Sequence, residues 1–75
     1  MKVSYKKLWK LLIARDMMKK DLQARAQISW ASVTKMSQNK NVSMDILLKV
    51  CEALNCGIEV VVEFVPDDTT EKHDL

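Results

Sequence analysis

The chain has 75 residues, 48% apolar and 29% charged, with one glycine, one proline, two cysteines and one histidine. Its formal net charge of +2 hides a division: residues 1–40 carry ten Lys/Arg against Asp16 and Asp21, a net +8, while residues 41–75 carry Lys49 and Lys72 against eight carboxylates, a net −6. A chain this short holds one domain and buries only about 60% of its unfolded surface, which favours a partner subunit; its composition excludes wholesale disorder, its single glycine excludes glycine-rich phosphate loops, and nothing in it reads as a membrane span or a signal peptide.

An aliphatic residue, a serine and, four residues after the serine, another aliphatic residue recur three times: Val3-Ser4 with Leu8, Ile28-Ser29 with Val33, and Val42-Ser43 with Leu47. A serine so placed accepts a bond from an orphaned backbone N–H while the flanking apolar pair closes over it, so each instance predicts a helix start. The first helix is expected from about Tyr5 to Arg15, with Leu8, Leu11 and Leu12 inward. Its basic, Trp-bearing character also suits a membrane surface, but its apolar face is the one lid available to the other helices. The second helix runs over 19–26 without a capping side chain at Met17-Met18, and buries Leu22 and Ala26. A short turn around Gln27 leads to a third helix, 30–37, with Val33 and Met36 inward. The polar loop 38–42 precedes a fourth helix, Met44 to about Asn55, whose wide apolar face comprises Ile46, Leu47, Val50, Cys51 and Leu54; Asn55 and Gly57 are its terminators.

Residues 58–65 change character, since five of the eight are β-branched. Alternation places Ile58, Val60, Val62 and Phe64 on one face of a strand and Glu59 and Glu63 on the other. The alternative is a fifth helix, because Ile58, Val61, Val62 and Val65 also share a helical face. As a strand it lacks a visible partner in the chain, so pairing with the same strand of a second copy is expected, with Ile58, Val60, Val61, Val62, Phe64 and Val65 at the dimer interface. The expected architecture is mainly α: four helices and a C-terminal β-strand within residues 1–65, followed by a disordered acidic tail, 66–75.

Little supports an enzyme. His73 stands alone in the tail, and Cys51 and Cys56 do not form a CxxC pair; both thiols read as small buried hydrophobes in a reducing, cytoplasmic setting. No catalytic set, metal-ligand cluster or cofactor motif is expected. The basic half instead suits a polyanion, and two short helices joined by a tight turn within it suit a helix-turn-helix.

The ordered set Lys19-Lys20-Asp21-Leu22, Ile28 through Met36, Asn41-Val42-Ser43 and Ile46 through Cys56 resembles the Cro/CI-type (XRE) helix-turn-helix family of bacterial and phage regulators, over roughly residues 4–58. The family commonly has glycine where Gln27 stands, at a positive φ, and a small alanine where Gln23 stands, at the close approach of the two helices. The resemblance implies that Trp30, Ala31 and Lys35 face base edges in the major groove, with Ser32 and Thr34 nearby. For Trp30, covering the core edge is an equal alternative. Lys35 suits guanine O6/N7, and Ala31 or Trp30 a thymine methyl. Phosphate contacts are expected from Ser29 at the helix start, from Lys19 and Lys20 on one side, and from Gln38, Asn39, Lys40 and Asn41 on the other. The expected function is that of a homodimeric regulator, a repressor, binding double-stranded DNA. The alternative is an antitoxin or anti-repressor that holds another protein through its acidic C-terminal region.

Overall fold

The computed structural model describes residues 1–67. A short strand β1 (Lys2–Ser4) is followed by helices α1 (Lys6–Ala14), α2 (Lys19–Ala26), α3 (Trp30–Ser37), α4 (Met44–Leu54) and α5 (Ile58–Val61), and a strand β2 (Glu63–Val65) closes the order. Each helix contributes to one core. Leu8 and Leu12 come from α1, Leu22 and Ala26 from α2, Val33 and Met36 from α3, Leu47, Val50 and Leu54 from α4, and Val61 from α5; Tyr5 and Ile28 fill the spaces between elements. These are the residues at i, i+3 and i+4 spacing, so the helical period decides which side chains leave water.

Two of the three serine motifs act as expected. Ser29 Oγ accepts from the Ser32 N–H at 3.2 Å, and Ser43 Oγ accepts from the Ile46 N–H at 3.2 Å, capping α3 and α4. The third does not. Ser4 ends β1, and the residue flanking α1 is Tyr5, whose own N–H is accepted by Asn39 Oδ1 at 3.2 Å; Ser4 Oγ accepts only the Lys6 N–H, at 3.3 Å. The start of α2 also differs from expectation, because Asp21 Oδ2 reaches back to accept the Met18 N–H at 2.8 Å. That is half of a capping box, and it places a carboxylate in the first turn where the helix dipole favours it.

The C-terminal segment is a helix and then a strand, rather than one strand through 58–65. Val61 drops fully into the core between α1 and α4, delivered there by the helical turn that follows Gly57. The remaining strand, Glu63–Val65, pairs antiparallel with Lys2–Ser4 of the same chain, Val3 opposite Phe64. The expectation that the chain holds no second strand is therefore corrected, and with it the argument that this strand must seek a second copy. The N-terminal partner is three residues long, too short to display a period-two pattern. Lys7 pairs with Glu63 at 3.3 Å and fastens the sheet to α1. Of the tail expected at 66–75, Pro66 and Asp67 are described; 68–75, including His73, lie outside the described residues.

Candidate nucleic-acid interface

Helices α2 and α3 meet through a turn in which Gln27 takes the left-handed conformation, φ 55° and ψ 49°. The backbone N–H groups of Gln27 and Ile28 both point to the Gln23 carbonyl, and Ile28 is buried beneath the corner. Gln23 adds a side-chain strut: its Nε2 donates to the Ile28 carbonyl at 2.7 Å. The two glutamines at the positions where the family favours alanine and glycine thus build one hydrogen-bonded corner.

With Val33 and Met36 buried, α3 turns Trp30, Ala31, Thr34 and Lys35 outward on one exposed face, and Ser32 lies half-buried beside them. Some of their polar groups are already engaged. Thr34 Oγ1 donates to the Trp30 carbonyl at 3.0 Å, which leaves the threonine a methyl and acceptor lone pairs to present outward. The Ser29 and Ser32 hydroxyls lie 3.0 Å apart within the cap. Trp30 is 53% exposed at the start of α3, beside a groove that it shares with Trp9, Met18 and Lys20. Both roles expected of it therefore have a geometric basis, an edge of the core and an outward indole.

Lys19 and Lys20 stand exposed at the start of α2. Lys19 is held in place by two neighbours: its ammonium lies 4.5 Å from the Trp9 ring centroid and donates to Ser37 Oγ at 2.9 Å. Ser37 in turn donates to the Val33 carbonyl at 3.0 Å. Trp9 and Ser37 were not expected at this site. The signal for them is spatial, since α1 and the end of α3 converge on Lys19 only in the fold.

Gln38, Asn39, Lys40 and Asn41 form the exposed loop after α3. It is tied to the start of α1: Asn39, at φ 57°, receives the Tyr5 N–H, and the Tyr5 hydroxyl donates to the Lys40 carbonyl at 2.8 Å. Burial pushes the Tyr5 hydroxyl above its ordinary pKa, and a bond from the Val42 backbone opposes that. The structure thus gathers the expected residues into three neighbouring groups: an exposed face of α3, a lysine pair at one end of α2, and a polar loop anchored by a buried tyrosine.

The residues expected at a dimer interface divide. Phe64 is 73% exposed and Ile58 43%; Val60, Val62 and Val65 are half-buried; Val61 is wholly buried inside the chain and is not available to a partner. Cys51 and Cys56 are half-buried free thiols, and burial, with Cys56 nearby, pushes the Cys51 thiol up. Among the described residues no three His, Cys, Asp or Glu side chains gather as a metal site, and no helix is long and apolar enough to cross a membrane.

Comparison with known proteins bears on this geometry directly. The family model for a Cro/C1-type helix-turn-helix DNA-binding domain matches residues 7–67. Among solved structures, the crystal structure of the transcriptional regulator VanUg is similar, with a TM-score of 0.84 and 45% sequence identity over 88% of each chain. No curated protein sequence matches the chain.

Proposed function

The chain belongs to the Cro/C1-type helix-turn-helix DNA-binding family, and from that premise we propose that it is a homodimeric, sequence-specific regulator of transcription, a cytoplasmic repressor of bacterial or phage origin. The observation that carries this reading is the face of α3: Val33 and Met36 anchor the helix in the core, and Trp30, Ala31, Thr34 and Lys35 stand outward together. In the major groove, Lys35 donates to guanine O6/N7, and Ala31 and Trp30 meet thymine methyls. Thr34 offers its methyl, and Ser32 lies within reach of the same edges. Lys19 and Lys20 hold the phosphate backbone at one end of the helix pair. Gln38, Asn39, Lys40 and Asn41 hold it at the other, and Ser29 brings the first N–H groups of α3 to a phosphate. The lysine-rich half supplies the electrostatic attraction, and base contacts supply discrimination.

A second copy would be joined through the exposed apolar side chains of the C-terminal segment, chiefly Phe64 and Ile58, with Val60, Val62 and Val65 at their margin. Two α3 helices then meet half-sites about one helical turn, ~34 Å, apart. Selection of bound duplexes from a random library at several salt concentrations tests the reading. A pair of related half-sites, with affinity falling as salt rises, is the expected result. Weak binding without sequence preference would remove the regulator reading in favour of a module that acts through another protein.

A further inference from the structure

Helix α4 ends on Asn55, which takes the left-handed conformation at φ 52° and ψ 54°. That reversal turns the chain back over the last turn, and the Cys56 N–H donates to the Cys51 carbonyl at 3.1 Å. A helix end closed in this way brings together the side chains of the two residues that the bond joins. Here both are cysteines. Standard bond lengths around a 3.1 Å contact hold their Cα atoms within about 7 Å of each other. That is inside the separation beyond which two cysteines cannot be bridged without backbone movement. The thiols themselves stand within hydrogen-bonding reach, and both are half-buried and free.

The two thiols differ in setting. Cys51 lies in the wall of an apolar hollow with Met44, Leu48 and Ile58. Burial pushes its thiol up, and Cys56 and Glu59 push it the same way. The thiolate is the attacking form, so Cys51 is the slower of the two to attack and is suited to complete a bond that Cys56 has begun. After Cys56 the chain passes through Gly57 directly into α5, whose Val61 fills the core. A bond between residues 51 and 56 therefore clamps the corner from which the C-terminal segment departs.

We propose that Cys51 and Cys56 are a redox-modification site, at which a small-molecule disulfide such as oxidised glutathione closes an intrachain disulfide across the end of α4. The Cys56 thiolate attacks one glutathione sulfur, which forms a mixed disulfide and releases one glutathione thiolate. Cys51 then gives up its proton and attacks the Cys56 sulfur, which releases the second. The two protein thiols are oxidised, one glutathione disulfide is reduced, and the two protein protons end on the two glutathione thiols. The helix end already holds the sulfurs together, so closure needs no rearrangement of the backbone. An effective concentration on the order of millimolar favours closure within the chain over a bridge between two chains at micromolar concentration by about a thousandfold. In a cytoplasmic setting the bond forms when the disulfide pool rises and is reversed when it falls.

Intact mass spectrometry of the full chain, reduced and then incubated with oxidised glutathione, tests this whatever the protein does with DNA. The expected product is a single chain lighter by two hydrogens, closed to alkylation, with no covalent dimer. A lasting glutathione adduct on the parent, a bond between two chains, or two thiols still open to alkylation would overturn closure. Cys51→Ser should retain on Cys56 the glutathione that the parent expels. A Cys51→Ser chain that stays unmodified while Cys56→Ser takes up glutathione would overturn the order of attack. Amide hydrogen exchange is then compared in the oxidised and reduced parent. Exchange at Asn55 and Cys56 should slow by about tenfold or more on oxidation. Equal exchange in the two forms would overturn the clamp on the α4–α5 corner.

Discussion

Gln23 Nε2 donates to the Ile28 carbonyl at 2.7 Å across a turn whose corner residue, Gln27, sits at φ 55°. A non-glycine residue pays about 1 kcal/mol for that conformation, and the Gln23 strut offsets it by satisfying a carbonyl beside the buried Ile28. Gln23→Ala should therefore destabilise the fold by about 1 kcal/mol. Gln27→Gly should be neutral or stabilising by less than about 1 kcal/mol, because relief of the left-handed strain is partly offset by a more flexible unfolded chain. Urea denaturation of the two single variants and the double variant checks this. The two residues share one corner, so their effects should fail to add.

Lys35 and Lys20 should separate by kind of contact. Lys35→Ala should weaken binding to the selected site by about five- to 150-fold and relax preference at one base position, with little effect on arbitrary duplexes. Lys20→Ala should weaken all duplexes alike and reduce the salt slope by about one. Fluorescence titrations against matched and mismatched duplexes at several salt concentrations give both readings. Uniform weakening by both variants would remove Lys35 from base reading.

The two kinds of serine should separate as well. Ser43→Ala removes the bond to the Ile46 N–H and should cost about 1 kcal/mol. Ser4→Ala should cost clearly less, because its hydroxyl only meets the Lys6 N–H at the end of a strand. Equal losses in parallel urea melts would restore Ser4 as a helix cap.

That contrast marks where sequence reasoning holds and where it stops. Trp30–Ser37 was legible to its bounds, because a cap serine, two inward residues at i and i+3 and a following polar loop all agree on one helix. The outward face of α3 follows from the same period. Ser4 carries the same local pattern as Ser29, yet a three-residue pairing with Glu63–Val65 overrides it, and nothing local announces a partner so distant along the chain. Ile58 through Val65 satisfies both a helical and an alternating pattern, and the decision falls to Val61, whose burial depends on where α1 and α4 leave room. Lys19 was legible as a cation, but its seat on Trp9 and Ser37 exists only once three elements converge.

Tyr5 links stability to alkaline pH. Its buried hydroxyl is held above its ordinary value of 10.0, chiefly by burial, and the Cys51 thiol is raised from 9.0 first by burial and then by Cys56 and Glu59. For both groups the folded state favours the protonated form. Their contribution is fully present below the unfolded values and is lost as pH rises through the raised folded ones, so the loss begins near pH 9 and continues above pH 10. Tyr5→Phe keeps the ring but removes the bond to the Lys40 carbonyl, and should cost about 1 kcal/mol at neutral pH. The same variant should lose less stability than the parent above pH 10. Urea melts from neutral pH into the alkaline range read both effects; a parallel decline in the two proteins would remove Tyr5 from the alkaline transition.

Phe64 and Val61 lie three residues apart and should report on different properties. Phe64 is 73% exposed on a sheet that already pairs within the chain, so it adds apolar surface to the outside and leaves the core unaffected. Exposed aromatic surface of this kind favours association, and in the symmetric dimer proposed above each Phe64 would be buried against a copy of its own patch. Phe64→Asp should move the protein to monomer in sedimentation at concentrations where the parent is dimeric, with its urea midpoint as a monomer little changed. Val61→Ala should do the reverse: it opens a void under α1 and α4, lowers stability by about 1–3 kcal/mol, and leaves any dimer contact to the exposed residues. A parent that sediments as a monomer at tens of micromolar would remove self-association through this segment. Recognition of paired half-sites would then require the two copies to be brought together by the DNA itself.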